Sequence, residues 1–120
     1  MAWTFNEHTP VYLQIVGRIR NDILSGVYKP DDQIPPVRQL ALTAAVNPNT
    51  MQRALTELEA EGLLYSKGTQ GRFVTSDPDA LAVVRKSAAK QLVSEFVKSA
   101  KHLAVSKDEI IKLIEEETDI

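Results

Sequence analysis

Apolar positions fall at helical intervals along most of this chain. Tyr12, Ile15, Val16, Ile19, Ile23 and Leu24 recur three and four residues apart and make one stripe. Thr9-Pro10 supplies a start, with Thr as the capping residue and Pro in the first turn. Gly26 supplies the left-handed residue that ends such a helix. The spacing therefore predicts a first helix over 10–25. Before it, Trp3 and Phe5 alternate with polar residues, as in a short arm packed on the domain. Residues 27–36, VYKPDDQIPP, read as a Pro- and Asp-rich connection. Val37, Leu40, Ala41 and Ala44 then predict a short second helix. Asn47-Pro48 opens a third over 48–61, because an Asn side chain caps free N–H groups and Pro is tolerated in a first turn. Met51, Ala54, Leu55 and Leu58 face inward along it, and Gly62 closes it.

The period then changes. Leu63-Leu64-Tyr65, a polar tip Ser66-Lys67-Gly68-Thr69-Gln70-Gly71 and Arg72-Phe73-Val74-Thr75 predict a two-stranded ribbon. Three helices followed by a ribbon with a Gly-rich tip is the order of a winged helix-turn-helix. Asp77-Pro78-Asp79 restarts a helix with the same cap-and-proline logic, its two acids favoured at the N-terminal dipole. Leu81, Val84, Ala88, Leu92 and Phe96 form one stripe, widened by Ala89, Val93, Val97 and Ala100. That helix, 78 to about 102, would run about 40 Å at ~1.5 Å per residue. Ser106 with Glu109 makes a capping box, with Val105 placed to staple onto Ile110. Ile110, Ile111, Leu113 and Ile114 give a last short helix ending in Glu115-Glu116-Glu117. The fold class expected is mainly α with one small β-hairpin: a winged helix-turn-helix over 1–76 and a two-helix dimerisation tail over 77–120.

Composition narrows the class. The chain has 120 residues, enough for one domain with a short appendage. With 43% hydrophobic and 25% charged residues it reads as globular. No apolar run is long enough to cross a bilayer. MAWTFNEHTP lacks the basic start and apolar stretch of a signal peptide. The absence of cysteine removes disulfides, thiolate metal sites and a Cys nucleophile. A cytoplasmic location is expected, with no membrane partner. The net charge of −2 opposes nucleic-acid binding until the charges are located. Through Ser76 there are seven cations and seven anions; from Asp77 onward there are seven cations and nine anions, so the acidity lies in the tail.

The front half of the third helix carries Asn49, Thr50, Gln52 and Arg53, with Asn47 at the cap, and the acids Glu57, Glu59 and Glu61 occupy the other half. In a helix-turn-helix the front half of the second helix enters the major groove. Arg is suited to guanine there, and Asn or Gln to adenine. On the residues alone, Asn-Pro-Asn-Thr also fits a capped turn with solvated polar groups, and Arg38 a solvated charge or ion-pair partner. Lys67 and Arg72 flank the wing, where cations meet phosphates or the minor groove, and Gly71 permits close backbone approach. His8 and His102 have no metal-ligand spacing. Asp31-Asp32 is explained by a turn, and no catalytic or nucleotide motif is present, so neither cofactor nor metal nor enzymatic activity is expected.

The stretch IPPVRQLALTAAVNPNTMQRALTELEAEGLLYSKGTQGRFV resembles the DNA-binding domain of the GntR family of bacterial regulators. Ile34-Pro35, Arg38, Leu40-Ala41, Val46-Asn47-Pro48-Asn49-Thr50, Arg53-Ala54-Leu55, Leu58-Glu59, Gly62-Leu63 and Phe73-Val74 fit its pattern, and Pro10 to Ile15 extend the likeness to residues 10–75. Two positions depart from it: Pro36 stands where the family has a capping Ser, and the tip Gly68-Thr69-Gln70-Gly71 is reordered. The resemblance implies a sequence-specific DNA-binding regulator, a repressor by default, with Arg38 on the operator. It also implies a double-stranded, roughly palindromic operator read by a homodimer. The short tail resembles that of the small YtrA-like subfamily, which often controls transporter operons, in place of a large effector domain. No residues point to a small-molecule effector. Two helices cannot bury the tail's wide apolar face alone; it either folds back on its own winged helix or packs on the same segment of a second chain, and the second reading nominates Leu81, Val84, Ala88, Leu92, Phe96, Ile110 and Ile114 for dimerisation. The rival reading, a winged helix that binds protein, would require an apolar surface where Asn49, Gln52 and Arg53 lie.

Overall fold

The computed structural model describes residues 2–118. In chain order it contains α1 (Val11–Leu24), α2 (Val37–Ala44), α3 (Pro48–Ala60), β1 (Leu64–Ser66), a 3₁₀ turn (Gly68–Gln70), β2 (Arg72–Val74), α4 (Pro78–His102) and α5 (Lys107–Glu117). The chain divides into two compact units, 1–84 and 85–120.

In the first unit the predicted stripes meet in one core. Ile15, Val16 and Ile19 of α1 lie against Leu40 and Ala44 of α2, Met51, Leu55 and Leu58 of α3, and Leu63 and Val74 beside the hairpin. Trp3 and Phe5 pack on this core as an arm, and the Arg18 guanidinium lies 4.2 Å from the centre of the Trp3 ring. Here the structure corrects one expectation. Thr9 does not cap α1; the residue before the helix is Pro10, which has no side-chain donor or acceptor. Gln14 takes over, donating its amide to the carbonyls of Thr9 (2.7 Å) and Asn6 (3.0 Å) while accepting from the Asn6 N–H. A helix residue thus ties down the arm that precedes it.

The tight connection of the helix-turn-helix places Ala45 in the left-handed region at φ 59°. The Val46 N–H reaches back to the Ala41 carbonyl at 3.0 Å, closing α2 in the way a glycine usually permits. Asn47 caps α3, its Oδ1 accepting from the Asn49 N–H at 2.7 Å, with Pro48 in the first turn.

The hairpin is antiparallel, with Leu64 opposite Val74, Tyr65 opposite Phe73 and Ser66 opposite Arg72. Its outer edge is covered. The Pro-rich connection, read from sequence as a loop, runs along β2, where the Asp31 and Ile34 N–H groups donate to the Val74 and Arg72 carbonyls and the Val74 N–H donates to Asp32. Asp31 and Asp32 serve this turn: Tyr65 donates to Asp31 Oδ1 and the Lys29 N–H to Asp32 Oδ2. The hydrogen bond to Asp31 raises the pKa of the Tyr65 hydroxyl above its usual 10.0. α4 begins as its sequence predicts, with Asp77 accepting from the Asp79 N–H. Its first two turns belong to the first unit. Leu81 and Val84 are partly buried against that core, so the first unit extends eight residues beyond position 76 and these two side chains are covered by their own chain.

The second unit holds the rest of α4 and α5. Ser106 accepts from the Glu109 N–H at 3.2 Å, forming the expected cap. Of its described residues only Ala100 is buried among the hydrophobics; Leu92, Val93, Phe96, Val97, Leu103, Ile111, Leu113 and Ile114 are exposed. An open apolar groove of 430 Å³ lies between Phe96, Leu103, Val105, Ile110, Leu113 and Ile114. No described helix is long and apolar enough to cross a membrane.

Candidate nucleic-acid interface

The front of α3 is polar and exposed because its inward positions are already taken. Met51, Ala54, Leu55 and Leu58 are buried in the core, and the 3.6-residue period then turns Asn49, Gln52 and Arg53 to solvent, with Thr50 at the margin. Asn47 contributes its Oδ1 to the cap, which leaves its amide as the free donor. Asn49, Thr50 and Arg53 share a shallow depression of 380 Å³ with Val11 and Tyr12 of α1. The Arg53 guanidinium carbon is 3.7 Å from the centre of the Tyr12 ring. Arg38 is exposed in the first turn of α2, whose N-terminus has no side-chain cap because Pro36 stands there.

Two of the three acids at the other end of α3, Glu59 and Glu61, are neutralised within the unit. Glu61 receives a bidentate pair from Arg20 of α1, at 2.9 and 2.7 Å. Glu59 accepts from the Ser66 hydroxyl and from Arg72 Nε. Arg72 is therefore held on α3, with only 17% of its side chain exposed, and the pair fixes the wing to the recognition helix. The sequence offered no direct signal for this contact, since any of Glu57, Glu59 and Glu61 could have been the partner.

Lys67 remains at the exposed wing, its Nζ 4.8 Å from the centre of the Phe73 ring, which stacks on Tyr65. Gly71 has a reason internal to the wing. At φ 107° it occupies a region that side chains avoid, and a Cβ would come within 2.9 Å of Gln33 Nε2. Gln33 in turn donates to the Gln70 carbonyl, joining the tip to the segment before α2. Residues Pro35 to Val37 and Thr69 to Arg72 line a common groove. The sequence-nominated residues are thus grouped by the fold into a recognition-helix set (Asn47, Asn49, Thr50, Gln52, Arg53) and a wing set (Lys67, Gly71, Arg72), with Arg38 exposed at the start of α2. No group of carboxylates and histidines that could hold a metal occurs among the described residues.

Residues 11–74 match the family of bacterial regulatory proteins described as gntR. The chain belongs to the gntR family. It is a DNA-binding transcription regulator built on a winged helix-turn-helix. The HTH-type transcriptional repressor YtrA of Bacillus subtilis is 30% identical over 109 residues, covering 90% of this chain and 84% of YtrA. A GntR family transcriptional regulator from Listeria monocytogenes superposes with a TM-score of 0.84 at 33% identity, over 95% of this chain and all of the other. The DNA-binding domain of AraR, solved in complex with operator ORX1, superposes with a TM-score of 0.57 at 29% identity, over 62% of this chain and 95% of that one. The tail is shared with the first two relatives, whereas the AraR domain matches little more than the winged helix.

Proposed function

We propose that this gntR-family regulator binds a two-fold-symmetric operator as a homodimer and represses transcription from it by occupying the promoter. Asn49, Thr50, Gln52 and Arg53, with the Asn47 amide, read base edges in the major groove. Arg38 and Lys67 contact phosphates, while Arg72 and Gly71 hold the wing in position. Asn47-Pro48 supports this reading most strongly: it starts α3 so that Asn49, Gln52 and Arg53 of the front half point outward while Glu59 and Glu61 are matched by internal cations. The dimer is formed by Leu92, Phe96 and Ile114, which are exposed, with the part-buried Ala88 and Ile110 beside them, and this apolar face needs a second copy. The repressor sign is supported by the YtrA relative. The protein works in the cytoplasm and catalyses no reaction, consistent with the regulators it resembles.

The test is binding to duplex selected by the protein from a random pool, compared with a scrambled duplex. Arg53→Ala should lower affinity for the selected duplex by about tenfold or more, because a bidentate base contact is lost, and should leave scrambled duplex within about twofold. Affinity should fall steeply with salt as phosphate counterions are released. Selected-duplex binding unchanged by Arg53→Ala would show that α3 is not the reading helix.

A further inference from the structure

Arg53 does not extend freely from α3. Among the described residues it makes no hydrogen bond or ion pair, yet its guanidinium lies 3.7 Å from the centre of the Tyr12 ring. At that separation the negative face of the ring attracts the cation. The two residues belong to different helices. Tyr12 sits in the first turn of α1, half-buried against the core, and Arg53 is exposed in the second turn of α3. α1 cannot easily shift under the arginine, because Ile15, Val16 and Ile19 are buried immediately behind Tyr12 and Arg20 grips Glu61 at the far end of α3. The ring is a fixed platform beside the start of the recognition helix.

The chemistry of the stack suits recognition. Arginine loses much rotamer freedom when its planar fork is fixed on a base. A ring that already holds the fork reduces that loss. Stacking also uses only the face of the guanidinium. Its N–H donors lie in the plane, so the edge stays available for the two acceptors of guanine.

We propose that Tyr12 is a positioning residue for DNA recognition, its ring holding the Arg53 guanidinium in the orientation that reads a base edge. The proposal rests on Arg53 being the base reader. It assigns to α1, a helix that otherwise supplies core, a share in sequence discrimination. The aromatic face carries the effect, and the hydroxyl is not needed for it.

The experiment uses the full chain and the two duplexes described above. Tyr12→Leu and Tyr12→Met remove the ring and keep an apolar side chain; Tyr12→Phe keeps the ring. Tyr12→Leu is expected to lose about threefold to fivefold in affinity for the selected duplex, with scrambled duplex changed by less than about twofold. Tyr12→Phe should bind the selected duplex within about twofold of the parent. In an Arg53→Ala background, Tyr12→Leu should add nothing, since the coupling has lost its other member. Tyr12→Met gives the same readings should Tyr12→Leu fail to fold, as judged by circular dichroism. Equal losses on both duplexes, failure of Tyr12→Phe to restore binding, an undiminished loss in the Arg53→Ala background, or tighter binding by the ring-less variants would each overturn the role of Tyr12. An Arg53→Ala protein with parental affinity for the selected duplex would overturn the base-reading assignment instead, and the proposal with it.

Discussion

Leu55 and Leu92 are both leucines on the apolar stripe of a helix, and their surroundings are opposite. Leu55 is fully buried between α1, α2 and the hairpin; Leu92 is 69% exposed. The contrast holds for their units. Residues 1–84 enclose helix stripes, strand ends and the aromatic arm in one core, whereas the described residues of 85–120 leave eight large apolar side chains in water and bury one alanine among their hydrophobics. A structure that spends its hydrophobic residues internally can stand alone. One that displays them at helical spacing is half of an interface. In the proposed assembly the first unit reads DNA, and the second pairs two copies so that two readers meet one operator.

The largest expected effect tests the second half of that comparison. Phe96→Asp puts a charge on the exposed face and should convert the dimer to monomer in sedimentation. Operator affinity should fall by about a hundredfold or more, since the second half-site is then no longer bound intramolecularly. A Phe96→Asp protein that stays dimeric would move the interface elsewhere. Next comes the leucine pair itself. Leu55→Ala should cost about 2–5 kcal/mol of stability in urea, followed by the fluorescence of Trp3, the one tryptophan. Leu92→Ala should leave that transition within about 0.5 kcal/mol, as a surface substitution does, and weaken dimerisation instead. A smaller effect sharpens the picture of the turn. Ala45 adopts φ 59° without being glycine, so Ala45→Gly should stabilise the first unit by about 0.5–1 kcal/mol, the relief of the left-handed strain less the added freedom of the unfolded chain.

The smallest concerns pH. Tyr65 titrates above its usual 10.0 in the folded chain because its hydroxyl donates to Asp31. A folded-state pKa above the unfolded one means a contribution present in full below pH 10.0 and lost as pH rises through the folded value. The first unit should therefore lose stability at strongly alkaline pH, and Tyr65→Phe should flatten that part of the melting-temperature profile, melting slightly below the parent at neutral pH and converging with it at alkaline pH.

Most elements were legible because their signals are local. Asn47-Pro48, Asp77-Pro78 and Ser106 with Glu109 each act within one helical turn, and the helices they announce begin where expected. That Thr9 would not cap α1 was not legible, because it is a side chain five residues later, Gln14, that takes the backbone before the helix. The edge formed by Asp31 and Ile34 was hidden for a different reason: its partners are in β2, about forty residues on, and prolines masked its strand character. The candidate site was legible as a set of residue types on the front of α3. Its internal division was not. Nothing in the spacing said that Arg72 would be taken by Glu59, that Gly71 would be required by its own backbone, or that Leu81 and Val84 would be covered by the first unit.

By itself, the order of amino acids determined the helices, the hairpin, the polar face of the recognition helix and the unsatisfied apolar face of the tail. These depend on periodicity and capping, which act over four residues or fewer. The folded chain alone decided which cations are spent internally and which face outward. That choice depends on pairs such as Arg20 with Glu61, 41 residues apart, and Arg72 with Glu59, 13 apart. Which charges lie within reach of one another is a property of the packed core that brings the helices together.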